Sequence, residues 1–381
     1  MTKPARRISA VVVILLFVSA LQAQTPAEAI ALERQGKLPE AVEAWRAVTA
    51  RNPNDAAAFA SLGVALSKEQ KYPEAASAYR KALALNPKLP GIELNLGLAE
   101  FKQGHFSAAV PSLRAALAAD PSSTQARTLL GMCYYGAKKF ALAAQYLQPV
   151  ADSDPDNMEL HQTLAQSCLA AKQYSCALAE FHRIVERDPD SVAAHVLTGE
   201  ALDGLSRTAE AIVEFETAVK ISSREPNLHF GLGYLYWKSH HYSEARDEFD
   251  KELALDPNHA QSLAYLGDIA WKDDHPDQAL SFFQQALKAN DELRIVYVDL
   301  GAIYMRQKKY EDGRKALVRA VALDPAQPDA HYQLGRLYQA LGNKSEADKE
   351  LAKVRELHEK ADASLQGKMP STPPPLNPAS Q

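Results

Sequence analysis

The sequence has few cysteines, little glycine and no long hydrophobic run beyond its first two dozen residues. Its three cysteines are too few for the disulfide framework of a small secreted domain, and their odd number leaves at least one thiol unpaired or intermolecular. Glycine is sparse while alanine dominates the apolar residues. Because alanine has the best helix propensity, this balance predicts an all-α protein.

An excess of positive charge is also missing. The formal net charge is −5 over 381 residues, which makes nucleic acid a poor partner. No His-Glu-x-x-His run, phosphate-binding glycine loop or Gly-x-Ser-x-Gly elbow is present in the sequence. We therefore predict a protein without catalytic activity, bound metal, cofactor or small-molecule substrate.

The amino terminus has the pattern of a secretory signal. Lys3, Arg6 and Arg7 precede an apolar run over residues 8–21, with small residues Ala20 and Ala23 at its end. The run is shorter than the roughly 20 residues of a membrane span. We predict a signal peptide over residues 1–23 and export, most simply to a bacterial periplasm. The alternatives are an uncleaved membrane anchor, which would be the chain's membrane contact, or full secretion.

A period of 34 residues runs through the rest of the chain. A glycine recurs at this spacing, and so does an alanine on a second segment, followed four residues later by a large apolar residue. A proline recurs as well, where it would end the second segment. The glycines are Gly63, Gly97, Gly131, Gly199, Gly233, Gly267, Gly301 and Gly335, and the prolines are Pro53, Pro87, Pro121, Pro155, Pro189, Pro257 and Pro325.

These four series predict a repeated helical hairpin. Small residues let the two helices approach, and the bulky residue fills space against the next hairpin. The pattern resembles the tetratricopeptide repeat family, as shown in one repeat by Leu232, Gly233, Tyr236, Ala245, Phe249 and Pro257. The resemblance implies a right-handed α-solenoid of about ten 34-residue helix-turn-helix repeats.

The period also divides the chain. The array is predicted over residues 24–361, followed by the end of the last helix, to about Leu365, and a Pro-rich disordered tail within residues 362–381. The individual repeats are predicted near residues 24–55, 56–89, 90–123, 124–157, 158–191, 192–225, 226–259, 260–293, 294–327 and 328–361.

In the family that this sequence resembles, the first helix of each hairpin lines the concave surface, where partners bind. Clustered aromatics on such a surface commonly mark a binding site. The alternative is that they pack against a neighbouring first helix as core. The predicted groove consists of Phe230, Tyr234, Trp237, Lys238, Tyr265, Trp271, Lys272, Val298, Met305 and Arg306, and a secondary groove of Leu94, Leu98, Phe101, Met132 and Tyr135.

Basic residues recur beside the main groove. Lys238, Lys272 and Arg306 follow the 34-residue spacing near the carboxyl ends of successive first helices. They either complement the helix dipoles or form a basic row that would meet carboxylates of an extended ligand. Some relatives clamp a terminal carboxylate with Lys and Asn pairs, but only Asn95 resembles part of that arrangement, so no clamp is predicted.

Histidine and cysteine give two further expectations. His161, His195, His229 and His331 share one slot, but adjacent repeats lie roughly 8–10 Å apart, too far for one metal ion, so half-buried packing is expected. Cys168 and Cys176 fall on paired helices close to their turn. This placement is compatible with a disulfide, and two buried thiols are the alternative.

The sequence therefore favours a non-enzymatic scaffold or adaptor. It would bind an extended peptide or a helix of a partner protein in its groove and assist assembly of an envelope or secretion complex. A self-associating structural subunit is the alternative. A minor alternative is the recognition part of a larger transferase system.

Overall fold

A computed structural model describes residues 25–366. The described chain is all helical and comprises twenty helices that pair into ten hairpins. The helices are α1 (Pro26–Arg34), α2 (Leu38–Arg51), α3 (Ala56–Lys68), α4 (Tyr72–Leu85), α5 (Ile92–Lys102), α6 (Phe106–Ala119), α7 (Thr124–Gly136), α8 (Phe140–Ser153), α9 (Met158–Ala170), α10 (Tyr174–Arg187), α11 (Val192–Gly204), α12 (Thr208–Ile221), α13 (Leu228–Lys238), α14 (Tyr242–Leu255), α15 (Ala260–Lys272), α16 (Pro276–Ala289), α17 (Arg294–Arg306), α18 (Tyr310–Leu323), α19 (Pro328–Ala340) and α20 (Lys344–Gln366).

The turns repeat as regularly as the helices. Second helices α2 to α18 each end two residues before the proline slot, including the two repeats in which Ser223 and Asp291 occupy it. Within every hairpin one turn residue has a positive φ. Glycine fills this left-handed position in three hairpins and other residues fill it in seven: Gly36, Gln70, Gly104, Lys138, Lys172, Ser206, His240, Asp274, Lys308 and Gly342.

The glycine and bulky series meet inside the hairpins. A Cβ added to Gly233 would lie 2.8 Å from Cδ1 of Phe249 on the paired helix, so the ring occupies the space that a side chain would need. Phe215 lies over Gly199 of its own hairpin and Gly231 of the next. The bulky residues therefore cover their own hairpin's glycine as well as filling space against the next hairpin, which the sequence pattern alone did not show.

The described helices belong to two compact units, divided between Arg187 and Asp188. Within each unit, neighbouring first helices contact one another, for example α5 with α7 in the first unit and α15 with α17 in the second. We call the side formed by α11, α13, α15, α17 and α19 the first-helix face of the second unit.

The two ends of the array differ from its middle. Helix α1 has 9 residues, whereas α20 has 23 and runs one residue past the predicted Leu365. The predicted signal peptide at residues 1–23 and residues 367–381, which include the predicted Pro-rich tail, lie outside the described residues. Among the described helices, none combines the length and apolar character that a membrane crossing requires.

Candidate functional site

Four predicted groove residues contact one another on the first-helix face. We call them the aromatic cluster: Phe230, Tyr234 and Trp237 of α13 and Tyr265 of α15. The Trp237 and Tyr265 ring centroids are 4.8 Å apart, and Tyr265 also contacts Tyr234 at 5.7 Å and Phe230 at 6.0 Å. Edge-to-face and tilted pairs at such distances are favourable. The cluster thus joins two consecutive repeats.

The aromatic cluster is supported by the core beneath it. Phe249, which is fully buried, contacts Phe230 and Tyr265 at 6.0 and 5.6 Å. All four cluster residues are half-buried, and desolvation raises the pKa of the Tyr265 phenol to about 12. The sequence left two interpretations of these aromatic residues, a binding surface and core packing. The four residues fit both, because they pack against one another and keep part of their surface exposed.

A polar network fixes the edge of the aromatic cluster. Asp268 is buried and accepts a 2.5 Å hydrogen bond from Nε1 of Trp237. Its carboxylate also forms an ion pair with Lys272. Lys272 Nζ also lies 5.4 Å from the centroid of the Trp237 ring. The indole N–H is thus used within the protein, and Trp237 remains half-buried.

The remaining predicted groove residues lie outside the aromatic cluster. Trp271 is half-buried against the core of its own and the next repeat, with the Arg306 guanidinium 4.1 Å from its ring centroid. Met305 packs with the cluster of apolar residues around Leu334, and Val298 is half-buried. The predicted groove is therefore a set of neighbouring surfaces on the first helices rather than one continuous aromatic stripe.

The three basic residues beside the groove are paired with carboxylates of the array. Lys238 Nζ lies 2.7 and 2.8 Å from the two carboxylate oxygens of Asp203, and Arg306 Nη1 lies 2.6 Å from Oδ1 of Asp274. Lys272 is paired with Asp268. The Lys238 and Arg306 pairs join adjacent repeats, whereas the Lys272 pair lies within α15. Because all three cations already have partners, a basic row for ligand carboxylates has little charge left to offer.

Asp299 of the first-helix face has a buried carboxylate oxygen without a partner. Oδ2 of Asp299 on α17 is buried and has no hydrogen bond within the described part of the chain. Burial and the nearby charge of Asp268 raise the pKa of the Asp299 carboxyl to about 8, against the opposing effect of Lys272. Asp299 was not among the predicted site residues.

A cavity opens beside the aromatic cluster and was also missed. It has a volume of about 640 Å³ and lies between α11 and α13. Apolar side chains dominate its lining, and Phe230 belongs both to this wall and to the aromatic cluster. The principal lining residues are Val192, Val196, Leu197, Phe215, Phe230 and Gly231.

Two local departures from the repeat create the cavity. Helix α13 has 11 residues where α11 and α15 have 13, because Asn227 before it has a positive φ of 67°. Glu252 caps the shortened end, accepting hydrogen bonds from the backbone N–H groups of Asn227 and Phe230. Gly231 also stands where the next repeat has Tyr265, and the Phe215 ring lies against this glycine. The glycine at position 231 is readable in the sequence, whereas the left-handed Asn227 and the capping by Glu252 are not.

The secondary groove lies in the first unit. Leu94, Phe101 and Tyr135 pack against a core cluster around Leu130, while Leu98 and Met132 are half-buried. The Tyr135 hydroxyl donates a 2.7 Å hydrogen bond to Oε1 of Gln166 in the next repeat. These side chains mainly join adjacent first helices, and no aromatic group comparable to the aromatic cluster forms among them.

The structure places Cys168 and Cys176 in a disulfide between α9 and α10. Their Cα atoms are 5.8 Å apart, within the range that a disulfide requires. Cys133 is a buried free cysteine, and desolvation raises the pKa of its thiol to about 12. A thiol in this state is a poor nucleophile.

The recurring histidines are buried and pair with glutamates on the second helix of the same hairpin. Their Nδ1 atoms lie 2.5 or 2.6 Å from a glutamate Oε2 nineteen residues later, a spacing that could have been found in the sequence. In three repeats Nε2 also faces a backbone carbonyl six residues earlier. In these three repeats the imidazole is therefore held at both of its ring nitrogens. The pairs are His161–Glu180, His195–Glu214, His229–Glu248 and His331–Glu350.

No metal-binding group of three or more His, Cys, Asp or Glu side chains exists within residues 25–366. The four histidines of the recurring slot are each occupied by a glutamate instead. The site's chemistry is therefore that of aromatic surfaces, an apolar cavity and carboxylates, which suits recognition of another molecule.

The profile of the tetratricopeptide repeat family matches residues 27–90, 94–157 and 230–293, and further repeat profiles match 134–199, 301–342 and 329–361. The chain belongs to the tetratricopeptide repeat family. This tetratricopeptide repeat protein has no match among curated proteins. Its fold is that of a family whose members are typically non-enzymatic protein-interaction scaffolds.

Several solved structures are similar to this tetratricopeptide repeat protein. The Cut9–Hcn1 hetero-tetramer of APC/C aligns with a TM-score of 0.52 at 14% identity, over 90% of this chain and 82% of that chain. The C-terminal part of a TPR repeat-containing protein from Cytophaga hutchinsonii gives 0.46 at 19% identity, over 62% and 98%. YrrB, described as a TPR protein with an unusual peptide-binding site, gives 0.36 at 21% identity, over 49% and 97%.

Proposed function

We propose that this protein is an exported, non-enzymatic adaptor that holds a partner protein on the first-helix face of its second unit. The partner would contribute an extended peptide or a helix, and the complex would assist assembly of an envelope or secretion apparatus. The observation that carries the proposal is the aromatic cluster of Phe230, Tyr234, Trp237 and Tyr265, which stays half-buried although it spans two repeats.

Aromatic side chains are effective in binding because they bury large rigid areas at little entropic cost. The Trp237 indole is held by Asp268, and Tyr265 rests on Phe249. The rings are thus already oriented before a partner arrives, which reduces the ordering cost of binding. Their half-buried faces would be completed by the partner.

Family membership supports the same function at the level of the fold. Tetratricopeptide repeat arrays offer extended surfaces built from equivalent helices, and these surfaces typically bind proteins or peptides. Export rests on the basic and apolar pattern of residues 1–23. The acidic net charge favours a protein partner over nucleic acid.

The test is affinity capture from the native envelope fraction, with quantification of every captured protein. Wild type is compared with a Tyr234→Ala, Trp237→Ala, Trp271→Ala variant whose helical content is verified by circular dichroism. Tyr310→Ala, which removes a half-buried tyrosine at the start of α18, serves as the matched control. We expect a partner that wild type and the control retain and the triple variant loses.

Equal capture by all three proteins would reject the aromatic cluster as the binding site. Size-exclusion chromatography with light scattering then becomes decisive. A concentration-dependent oligomer that persists in the variant would favour the self-associating subunit instead.

A further inference from the structure

The cavity between α11 and α13 is a continuation of the proposed binding surface. Phe230 forms part of its wall and also contacts Tyr265, so an extended chain that crosses the aromatic cluster would reach the cavity within the same unit. At about 640 Å³ the cavity lies within the range of ligand sites and is large enough for a big apolar side chain.

The shape of the cavity is built into the repeat. Phe215 lies so close to Gly231 that an added Cβ would be 2.4 Å from its Cε1 atom. Glycine is therefore needed for Phe215 to form the floor. Glu252 is 1% exposed and holds the backbone at Asn227 and Phe230, which fixes the edge of the opening.

The charged residues that line the cavity are both acidic. Among the described residues, no side-chain hydrogen bond or ion pair is found for Glu200 of α11 or Glu225 of the loop before α13. Lys238, the basic residue of the predicted groove on α13, is already paired with Asp203. Desolvation raises the pKa of the Glu200 carboxyl, and no neighbouring cation opposes this shift. A cation supplied by a ligand would stabilise the ionised carboxylate.

We propose that the cavity receives an apolar side chain of a basic peptide segment of the partner protein, whose neighbouring Lys or Arg side chains pair with Glu200 and Glu225. This assignment rests on the proposed function, which it deepens by naming the class of peptide. The predicted ligand is therefore basic, whereas a row of basic residues in the groove would bind an acidic one. The two lysines and the arginine of that row already have carboxylate partners.

The experiment measures binding of the mature chain, residues 24–381, to an array of random-sequence decapeptides grouped by net charge and apolar content. Selected peptides are then measured by fluorescence anisotropy at low and high salt. We expect basic, apolar peptides to bind at least about tenfold tighter than acidic peptides of equal apolar content, and the preference to weaken with salt.

Two variants test the two parts of the site. Glu200→Gln with Glu225→Gln should reduce binding of basic peptides by about 3- to 30-fold and leave neutral apolar peptides unchanged. Ala193→Trp, which places a large ring at the lining of the cavity, should weaken both classes by about tenfold or more. Asp247→Asn with Asp250→Asn, on the second helix α14, removes the same charge away from the cavity and should have no effect.

The outcomes separate this inference from the proposed function. Tighter binding of acidic peptides, or unchanged binding by the Glu200→Gln, Glu225→Gln variant, overturns the inference. The proposed function still stands in that case if Trp237→Ala weakens peptide binding. The absence of any peptide that depends on Trp237 or on the cavity rejects both. If deletion of residues 367–381 raises the affinity about tenfold or more, the chain's own tail occupies the cavity, and the assignment to a partner peptide is wrong.

Discussion

Nε1 of Trp237 on α13 donates a 2.5 Å hydrogen bond to Oδ2 of Asp268 on α15, so the indole is locked to a buried carboxylate of the next repeat. Through this hydrogen bond Trp237, a surface aromatic residue, forms a joint between two consecutive repeats. It also holds the Trp237 ring in place beside Tyr265.

This joint should be measurable as a coupling. Trp237→Phe leaves Oδ2 of Asp268 without its donor and should destabilise the array by about 1 to 3 kcal/mol. Asp268→Asn should cost a similar amount, because the Lys272 pair is lost as well. In thermal unfolding of the single and double variants, we expect a coupling energy of about 0.5 to 3 kcal/mol. Additive effects would contradict the joint.

The His195–Glu214 pair should make stability depend on pH. Burial lowers the pKa of the His195 imidazole, but the hydrogen bonds to Glu214 and the Pro189 carbonyl and the charges of Glu214 and Asp190 raise it more. The net shift is upward, so the charged pair stabilises the fold fully below the unfolded pKa of about 6.5. This contribution is lost as the pH rises through the folded value.

The matched variant is already present in the chain. Leu263 and Phe282 occupy the same two slots in another repeat and lie in one apolar cluster. His195→Leu with Glu214→Phe should remove on the order of 1 kcal/mol of the fall in stability between pH 6 and pH 9. Thermal melts across this range check it, and an unchanged slope would show that the imidazole is not charged in the folded protein.

The Asp299 carboxyl should also make the protein less stable as the pH rises, but for a different reason. Burial and Asp268 raise the pKa of its carboxyl to about 8, so the folded protein holds a proton that the unfolded chain has released. Stability therefore falls as the pH rises from about 4 to about 8. Asp299→Asn should be more stable than wild type at pH 9, by on the order of 1 to 3 kcal/mol, with a smaller difference at pH 5.

Asp277→Asn, at the exposed first turn of α16, controls for the loss of one negative charge. Melting temperatures of the three proteins at pH 5, 7 and 9 give the comparison. A constant difference between Asp299→Asn and wild type over this range would disprove ionisation of a buried carboxyl.

The Cys168–Cys176 disulfide closes a short loop, with a sequence separation of 8. Chain-entropy arguments give a stabilisation on the order of 2 to 3 kcal/mol for so short a loop. Alkylation of the unfolded, unreduced protein should modify Cys133 alone, and prior reduction should expose all three cysteines, as read by intact mass. Three modified cysteines without reduction would show that the bond is absent. Cys176→Ser should lower the melting temperature of the first unit.

The left-handed turn position offers a prediction about the hairpins themselves. Lys138 has a positive φ of 56°, whereas the equivalent residue one repeat earlier is Gly104. Lys138→Gly removes the strain of the left-handed conformation and should stabilise by up to about 1 kcal/mol, while Gly104→Ala should cost about as much. Thermal unfolding of both variants tests the sign, and equal signs would contradict it.

The sequence by itself determined the repeat, the helical hairpins and the family, because these depend on small, bulky and helix-ending residues whose spacing is the spacing of the fold. Gly233 facing Phe249 is one such case, since both positions follow from the 34-residue period. The aromatic cluster was predictable in part for the same reason. Tyr234 and Trp237 lie three residues apart on one helix, and the 34-residue period places Tyr265 on the equivalent helix of the next repeat.

Only the tertiary structure decided how the polar residues are used. Lys238 pairs with Asp203 and Trp237 with Asp268, residues 35 and 31 positions apart, and Glu252 caps a helix other than its own. Such contacts depend on side-chain direction and on the exact approach of neighbouring helices, which a periodic pattern does not contain. The cavity arises where that period is locally broken, at Asn227 and Gly231, so its volume and acidic lining follow from packing rather than from the repeat.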